Sequence, residues 1–139
     1  MTAPPDPVGL YEPFTKCGDL VFLSAISSAR DGTMITGKVG AELSLEDGRE
    51  AARRAAANLL AVLTIAAEGE ANIGGILLLR GQVNATDDFA QVHKVIDAAS
   101  ELIVERLGEK GRHARTAIGC STLPNNNAVT LEAIARVAT

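Results

Sequence analysis

The sequence predicts an α+β fold in which a mixed β-sheet carries two helices on one of its faces. Two segments place apolar residues three and four positions apart, as a helix does, and the last segment alternates apolar with polar residues, as a strand does. The predicted order is strands, helix, strand, helix, strands. Because the strands before, between and after the helices can join one sheet, we expect a single domain over residues 1–139.

Composition and charge favour a globular domain over a nucleic-acid-binding or membrane protein. The chain has 139 residues, of which 47% are hydrophobic and 22% charged, as in a globular domain. Aromatic residues make up 3% and the net charge is −4, so we expect no nucleic-acid partner, which would favour basic surfaces and stacking platforms. Residues 1–13 lack the features of a signal peptide, and no apolar run could span a bilayer. We therefore expect a cytoplasmic protein without a membrane partner.

The sequence gives no indication of a metal or a cofactor. Cys17 and Cys120 lie far apart, with no further Cys or His at ligand spacing, which predicts neither a zinc site nor a disulfide. No glycine-rich phosphate loop and no nucleophile motif is present either.

The first half of the chain predicts a strand and a long helix. Residues Leu20 to Ser24 form a short apolar run ahead of an Asp31-Gly32 turn, which suits a strand entering a hairpin. A capping box at residues 44–47 predicts the start of a helix, and Gly69 is its expected end. One side of this helix is apolar and small: Ala52, Ala55, Ala56, Leu59, Leu63 and Ala66.

The second half predicts a strand, a helix and two further strands. The run from Ile76 to Leu79 is expected to be a central strand covered on both faces. Residues 86–88 are expected to open the second helix, and Gly108 to end it. The apolar face of that helix is Phe89, Val92, Ile96, Ala99, Ile103 and Leu107. Strands are then expected over residues 115–121 and 128–137.

Few side chains suggest chemistry by pattern alone. We expect His93 and His113 to be surface histidines and Cys120 to be a structural thiol facing the core. Arg115, at the start of a strand, admits two interpretations that the pattern leaves open. It is either a solvated arginine at a sheet edge or an anion clamp, because a guanidinium can bind a carboxylate through two parallel hydrogen bonds.

Several segments resemble the Rid (YjgF-like) family, and together they cover most of the chain. They are residues 18–24 (GDLVFLS), residues 37–40 with the Ala-rich helix from Arg49, residues 111–119 (GRHARTAIG), Leu123-Pro124, and residues 129–135. The resemblance implies a chorismate-mutase-like fold and a homotrimer with three clefts between subunits. It also implies hydrolysis of reactive enamines or imines derived from amino acids, which makes a small anionic metabolite the expected partner.

The resemblance also implies which residues form the site. Arg115 matches the arginine that binds the substrate carboxylate, and Thr130 stands where typical deaminating members carry a catalytic Glu. A threonine hydroxyl can hold water but does not titrate near neutral pH. Glu132 lies on the same strand face, about 6.5 Å further along. We therefore expect Arg115, Thr130 and Glu132 to carry any catalysis.

Other positions also depart from the family pattern. Residues 24–26 are Ser-Ala-Ile in place of Ser-Gly-Gln, and Ala117 replaces a frequent cysteine. We expect Ser24, Ala25, Ala117 and Tyr11 to bind substrate together with Arg115. Two functions stay open: an imine or enamine deaminase, and a non-catalytic protein that binds a small carboxylate or regulates a partner. Ribonuclease activity is disfavoured by the acidic charge.

Overall fold

A five-stranded mixed sheet forms the centre of the molecule in the computed structural model, which describes residues 3–138. The strands are Phe14–Cys17 (β1), Leu20–Ile26 (β2), Ile73–Asn84 (β3), Ala114–Cys120 (β4) and Val129–Val137 (β5). Their order across the sheet is β1-β2-β5-β3-β4, with β4 parallel to β3 and every other neighbouring pair antiparallel. The helices are Leu45–Ala67 (α1) and Val92–Leu107 (α2). This is the predicted α+β fold.

The alternation predicted for the last segment is present in β5. Its apolar side chains Val129, Leu131, Ala133, Ala135 and Val137 are buried in the core. The side chains between them point the other way and are half-buried or exposed. Both helices pack on the buried side, so the sheet has a helix face and an open face, the latter carrying Thr130, Glu132 and Ile134.

Helix α1 begins as predicted and ends one residue earlier than predicted. The Ser44 hydroxyl accepts a hydrogen bond from the Asp47 N–H at 3.1 Å, and the Asp47 carboxylate accepts one from the Ser44 N–H at 2.9 Å. All six residues of the predicted apolar stripe are buried. The left-handed residue that ends the helix is Glu68, with φ of 59°, rather than Gly69. The Asn72 amide donates to the carbonyls of residues 67 and 68 and so stabilises this end.

Helix α2 begins later than the sequence predicts. Thr86 and Asp88 do not cap it: the Thr86 hydroxyl donates to the Asp88 carboxylate at 2.8 Å, inside a turn that precedes the helix. The first helical residue is Val92, preceded by Gln91, whose side chain makes no capping bond. The predicted end at Gly108 is confirmed.

Within one chain, the Ile76–Leu79 run is covered on the helix face alone, and coverage of its other face stays a prediction. Ile76 and Leu79 are buried under the helices, whereas Leu77 is exposed and Leu78 half-buried. A shift in the pairing with β5 lies between Ile76 and Leu78, which breaks the simple alternation there.

The loop over residues 37–42 is shaped by one carboxylate. Glu42 accepts the backbone N–H of Lys38 at 2.6 Å, and this bond holds the pKa of the Glu42 carboxyl below its usual range. Gly37 has φ of 118°, and a Cβ there would lie 2.7 Å from the Glu42 side chain. The loop therefore favours glycine at this position for both backbone and space.

Three further findings concern membranes, cysteines and metals. No helix within residues 3–138 is long and apolar enough to cross a membrane. Cys17 is exposed and Cys120 half-buried at the end of β4, and both are free thiols. In the same part of the chain, no three His, Cys, Asp or Glu side chains are grouped to hold a metal ion.

Candidate functional site

Four of the predicted site residues line one pocket. The N-terminal pocket, as we call it, has a volume of about 160 Å³ and lies between residues 5–13, strand β2 and the loop that leads into β5. Tyr11, Ser24, Ala25 and Thr130 all line it. Its wall is otherwise largely apolar and includes Pro7, Pro13, Ile26, Met34 and Val62. The N-terminal segment is held against β2 in part by the Ser24 hydroxyl, which donates to the Glu12 carbonyl at 2.6 Å.

Three polar side chains of this pocket offer hydrogen-bond acceptors to a ligand. The hydroxyl protons of Ser24 and Thr130 are already donated to other groups, so their lone pairs remain for a ligand. Asn127 donates its amide N–H to the Pro124 carbonyl, while its Oδ1 is buried without a donor. None of the described residues that line the pocket is Lys, Arg or His. One chain's pocket therefore has no cation to bind a carboxylate.

Thr130 and Glu132 are joined on the open face by a residue that sequence reasoning missed. Thr130 donates to the Gln82 Oε1 atom at 2.9 Å, and the Gln82 Nε2 atom donates to Glu132 at 3.1 Å. Gln82 pairs with Thr130 in the β3–β5 ladder, and its neighbour Arg80 pairs with Glu132. Alternation along β3 places Gln82 on the open face, but the register between strands cannot be derived from that pattern.

Arg115 lies on the helix face, at the outer edge of the sheet. Its Nη1 atom donates to the Asp97 carboxylate at 2.8 Å and to the Ser100 hydroxyl at 3.2 Å, both on α2. Its Nη2 atom approaches the His93 carbonyl at 3.5 Å. The side chain is 24% exposed and forms an ion pair with Asp97, so Arg115 is a partly buried arginine at the sheet edge. Within residues 3–138, the Nε–H of Arg115 has no hydrogen-bond partner.

The two histidines differ in exposure and in hydrogen bonding. His93 is exposed, as predicted, and only its backbone carbonyl comes near Arg115. His113 is half-buried and hydrogen-bonded through both ring nitrogens, to Ser100 at 2.9 Å and to the Gly111 carbonyl at 2.6 Å. The expectation that His113 is a plain surface histidine is therefore wrong.

Arg115 and Ala117 lie apart from the N-terminal pocket in one chain. Ala117 follows Arg115 on the helix face of β4 and packs against the core. Thr130 is on the open face of β5, and β3 lies between these two strands. The pairing of Gln82 with both Thr130 and Ile118 puts the Cα atoms of Arg115 and Thr130 ~14 Å apart. A single chain therefore does not unite the residues expected to act together.

Asp97 and Ser100, which hold Arg115, were also missed by sequence reasoning. They lie three residues apart on α2 and therefore on one side of the helix, and this spacing can be recognised in the sequence. The sequence does not predict that this side faces β4, because that contact depends on the parallel pairing of β3 and β4.

Known proteins resemble this chain in sequence and in structure. The protein Atu1372 of Agrobacterium tumefaciens, of unknown function, is 37% identical, with a TM-score of 0.91 over 93% of this chain and 83% of that chain. A protein of Shewanella oneidensis described as a "putative endoribonuclease" is 28% identical, with a TM-score of 0.93 over 96% of this chain and 89% of that chain. Protein TCP17 of Trypanosoma cruzi is 34% identical over 104 residues, which are 74% of this chain and 65% of that protein. The match thus spans less than two thirds of TCP17.

A family model also matches nearly the whole chain. It covers residues 4–137 and describes the family as "YjgF/chorismate_mutase-like, putative endoribonuclease". The mixed sheet with two helices on one face agrees with that description. This chain therefore belongs to the Rid (YjgF-like) family.

Proposed function

We propose that the protein hydrolyses small enamines or imines that carry a carboxylate, in a cleft shared by neighbouring copies of the chain. Arg115 of one subunit binds the carboxylate, and the N-terminal pocket of the next subunit receives the rest of the molecule. The family resemblance suggests a homotrimer with three such clefts.

The observation that carries this proposal is the set of hydrogen bonds made by Arg115, together with its partial exposure. The guanidinium is fixed by Asp97 and Ser100 on one side, while its Nε–H remains unbonded within the described residues and the side chain is partly exposed. An arginine held in this way can take a carboxylate without first being ordered. The adjacent Asp97 carboxylate reduces the net positive charge, so we expect modest affinity for a monoanion.

The need for a second subunit follows from the distribution of charge. The N-terminal pocket has acceptors but no cationic side chain among the described residues that line it. Arg115 lies on the other face of the sheet, ~14 Å from Thr130 between Cα atoms. A carboxylate-bearing ligand can contact both groups when a neighbouring copy brings its Arg115 to the mouth of the pocket.

The proposed reaction needs more positioning than acid–base strength. An enamine is first protonated on carbon to give the imine; water then adds to the imine carbon, and the protonated nitrogen leaves as ammonia, giving a 2-oxo acid. Thr130 can accept a hydrogen bond from that water, because its own proton is donated to Gln82. The Gln82 amide lies between Thr130 and Glu132, and an amide does not exchange protons as a carboxylate does. We expect this chain to lack acid–base help of roughly a hundredfold.

The residue at position 130 favours a second candidate function. Because Thr130 supplies no titratable group, the cleft is also suited to binding a small carboxylate without converting it, as a carrier or a regulator does. RNA cleavage, which the family description mentions, is less favoured, since a net charge of −4 opposes a phosphate backbone.

Ammonia release tests the catalytic proposal. The protein should accelerate ammonia formation from 2-aminoacrylate generated in the assay, and Arg115→Ala should lower that acceleration about 10- to 100-fold, as for a lost charged hydrogen bond. Arg112→Ala is the matched control, because Arg112 is exposed and paired only locally with Glu109. Ammonia release no faster than in buffer, from folded protein, would contradict catalysis.

Calorimetry with pyruvate separates the two functions. Binding that depends on Arg115, without any acceleration of ammonia release, would identify the non-catalytic protein. Absence of binding as well as of catalysis would remove both candidates.

A further inference from the structure

A chain of hydrogen bonds connects Arg115 to the backbone of the turn before β4. The Arg115 Nη1 atom bonds the Ser100 hydroxyl at 3.2 Å, and that hydroxyl lies 2.9 Å from the His113 Nε2 atom. The His113 Nδ1 atom lies 2.6 Å from the Gly111 carbonyl oxygen. The chain therefore runs from the guanidinium, through a hydroxyl and an imidazole, to a fixed main-chain acceptor.

The chemistry of its two ends determines the direction of the two outer bonds. A guanidinium donates and never accepts, so Ser100 accepts from Arg115. A carbonyl oxygen accepts and never donates, so the Nδ1 atom of His113 carries a proton and donates to Gly111. In the neutral imidazole the Nε2 atom is then an acceptor, and the Ser100 hydroxyl donates its proton to it. With a neutral imidazole, Ser100 therefore accepts from Arg115 and donates to His113.

This arrangement orients the free edge of the guanidinium. Asp97 and Ser100 both contact Nη1, so they fix one side of the planar group and leave Nε on the other side. An arginine side chain that is ordered in advance loses less freedom when it binds a carboxylate. Without Ser100, Nη1 would keep only the Asp97 contact, and the other contact of the guanidinium would be the long one between Nη2 and the His93 carbonyl, at 3.5 Å.

We infer that Ser100 and His113 are positioning residues, which hold Arg115 in the orientation that takes a ligand carboxylate. This rests on the proposed function of Arg115. His113 acts through Ser100, so loss of either residue releases the same contact. Their effects on binding should therefore not add.

Pyruvate affinity measured by calorimetry is the first test. Ser100→Ala and His113→Leu should each weaken binding about fivefold, as expected for one hydrogen bond. The double variant should be no weaker than either single variant. Ser100→Thr, which keeps the hydroxyl, and His113→Gln, whose side-chain oxygen can still accept from Ser100, should restore most of the affinity.

His93→Leu is the matched control, because the chain has 2 histidines and the His93 side chain is exposed. Unchanged affinity in folded Ser100→Ala and His113→Leu would overturn the inference but leave Arg115 binding intact.

The guanidinium N–H signals of Arg115, observed by nuclear magnetic resonance without ligand, are the second test. They should be resolved and slowly exchanging in the unaltered protein and in His93→Leu, and averaged in Ser100→Ala. Identical spectra for Ser100→Ala and the unaltered protein would overturn the positioning role. If pyruvate does not bind the unaltered protein, the proposed function fails, and the spectra still decide whether the chain orders Arg115.

Discussion

Thr130 is the single residue that most limits the proposed chemistry. It lines the N-terminal pocket, and its hydroxyl is held by Gln82, so it offers a lone pair rather than an exchangeable proton. A carboxylate at this position would face the same water and could also titrate. Glu132 lies two residues away on the same face and accepts a hydrogen bond from Gln82.

Thr130→Glu should therefore increase imine hydrolysis. We expect ammonia release from 2-aminoacrylate to rise at least tenfold, because a positioned carboxyl can take a proton from the attacking water and return one to the leaving nitrogen. The initial rate of ammonia release is the measurement.

Ile65→Glu is the control for Thr130→Glu. Ile65 is exposed on α1 and does not line the N-terminal pocket, so the same charge there should leave the rate unchanged. A rate that falls in Thr130→Glu, with the fold retained, would argue against a water at this position.

At the scale of elements, the fold depends on how closely α2 approaches β3. Gly81 lies on the helix face of β3, and a Cβ there would be 2.5 Å from the Cδ1 atom of Ile96 and 2.6 Å from its Cγ1 atom. The missing side chain allows the helix to sit directly on the strand. This contact, together with the packing of α2 on α1, positions α2 and with it Asp97 and Ser100 beside Arg115.

Gly81→Ala should lower the free energy of unfolding by about 1–3 kcal/mol, because the added methyl group overpacks the contact. Ile96→Ala on its own should cost about 2–5 kcal/mol through the cavity that it leaves. The double variant should cost less than the sum, since the new methyl group fills part of that cavity. Chemical denaturation measures all three, and strict additivity would count against the close contact.

The two helices differ in how well their ends were predicted from the sequence. The capping box at Ser44 and the apolar faces of both helices, apart from Phe89, which precedes α2, were predicted because they depend on residue spacing and on local hydrogen bonds. The start of α2 was not, because Thr86 and Asp88 satisfy a turn as readily as a helix cap. Local chemistry alone does not choose between those two uses.

At the scale of the whole molecule, the open face of the sheet is apolar in part and is covered by neither helix. Phe22 is 41% exposed, and Ile134 lies between Phe22 and Leu78 in the strand pairing. Apolar side chains on an uncovered sheet face favour association with a partner surface. A second copy is the partner that the proposed cleft requires.

Ile134→Glu should therefore convert the assembly into monomers. A charge buried without a partner costs about 3–5 kcal/mol, which is enough to dissociate a modest interface. Mass in solution, measured by light scattering, should show a trimer for the unaltered protein and a monomer for the variant. Ile65→Glu, on the exposed side of α1 at 59% exposure, should leave the mass unchanged. A stable monomer without any substitution would contradict both the trimer and the shared cleft.

The candidate site could be predicted from sequence only in part. Tyr11, Ser24, Ala25 and Thr130 do line one pocket, although they come from three separate segments. The location of Arg115 on the opposite face follows from strand register and from the parallel pairing of β4, which no local pattern specifies. The partners Gln82, Asp97 and Ser100 depend on the same long-range pairings.

The position of β5 in the sheet has a consequence for how the chain folds during synthesis. Strand β5, residues 129–137, lies between β2 and β3 and joins the β1-β2 pair to the β3-β4 pair. Until those residues have left the ribosome, the two halves share no strand, and the edges of β2 and β3 that pair with β5 keep unpaired N–H and C=O groups. The chain should thus depend on late, long-range pairing, which makes folding slow and leaves the nascent halves exposed to aggregation.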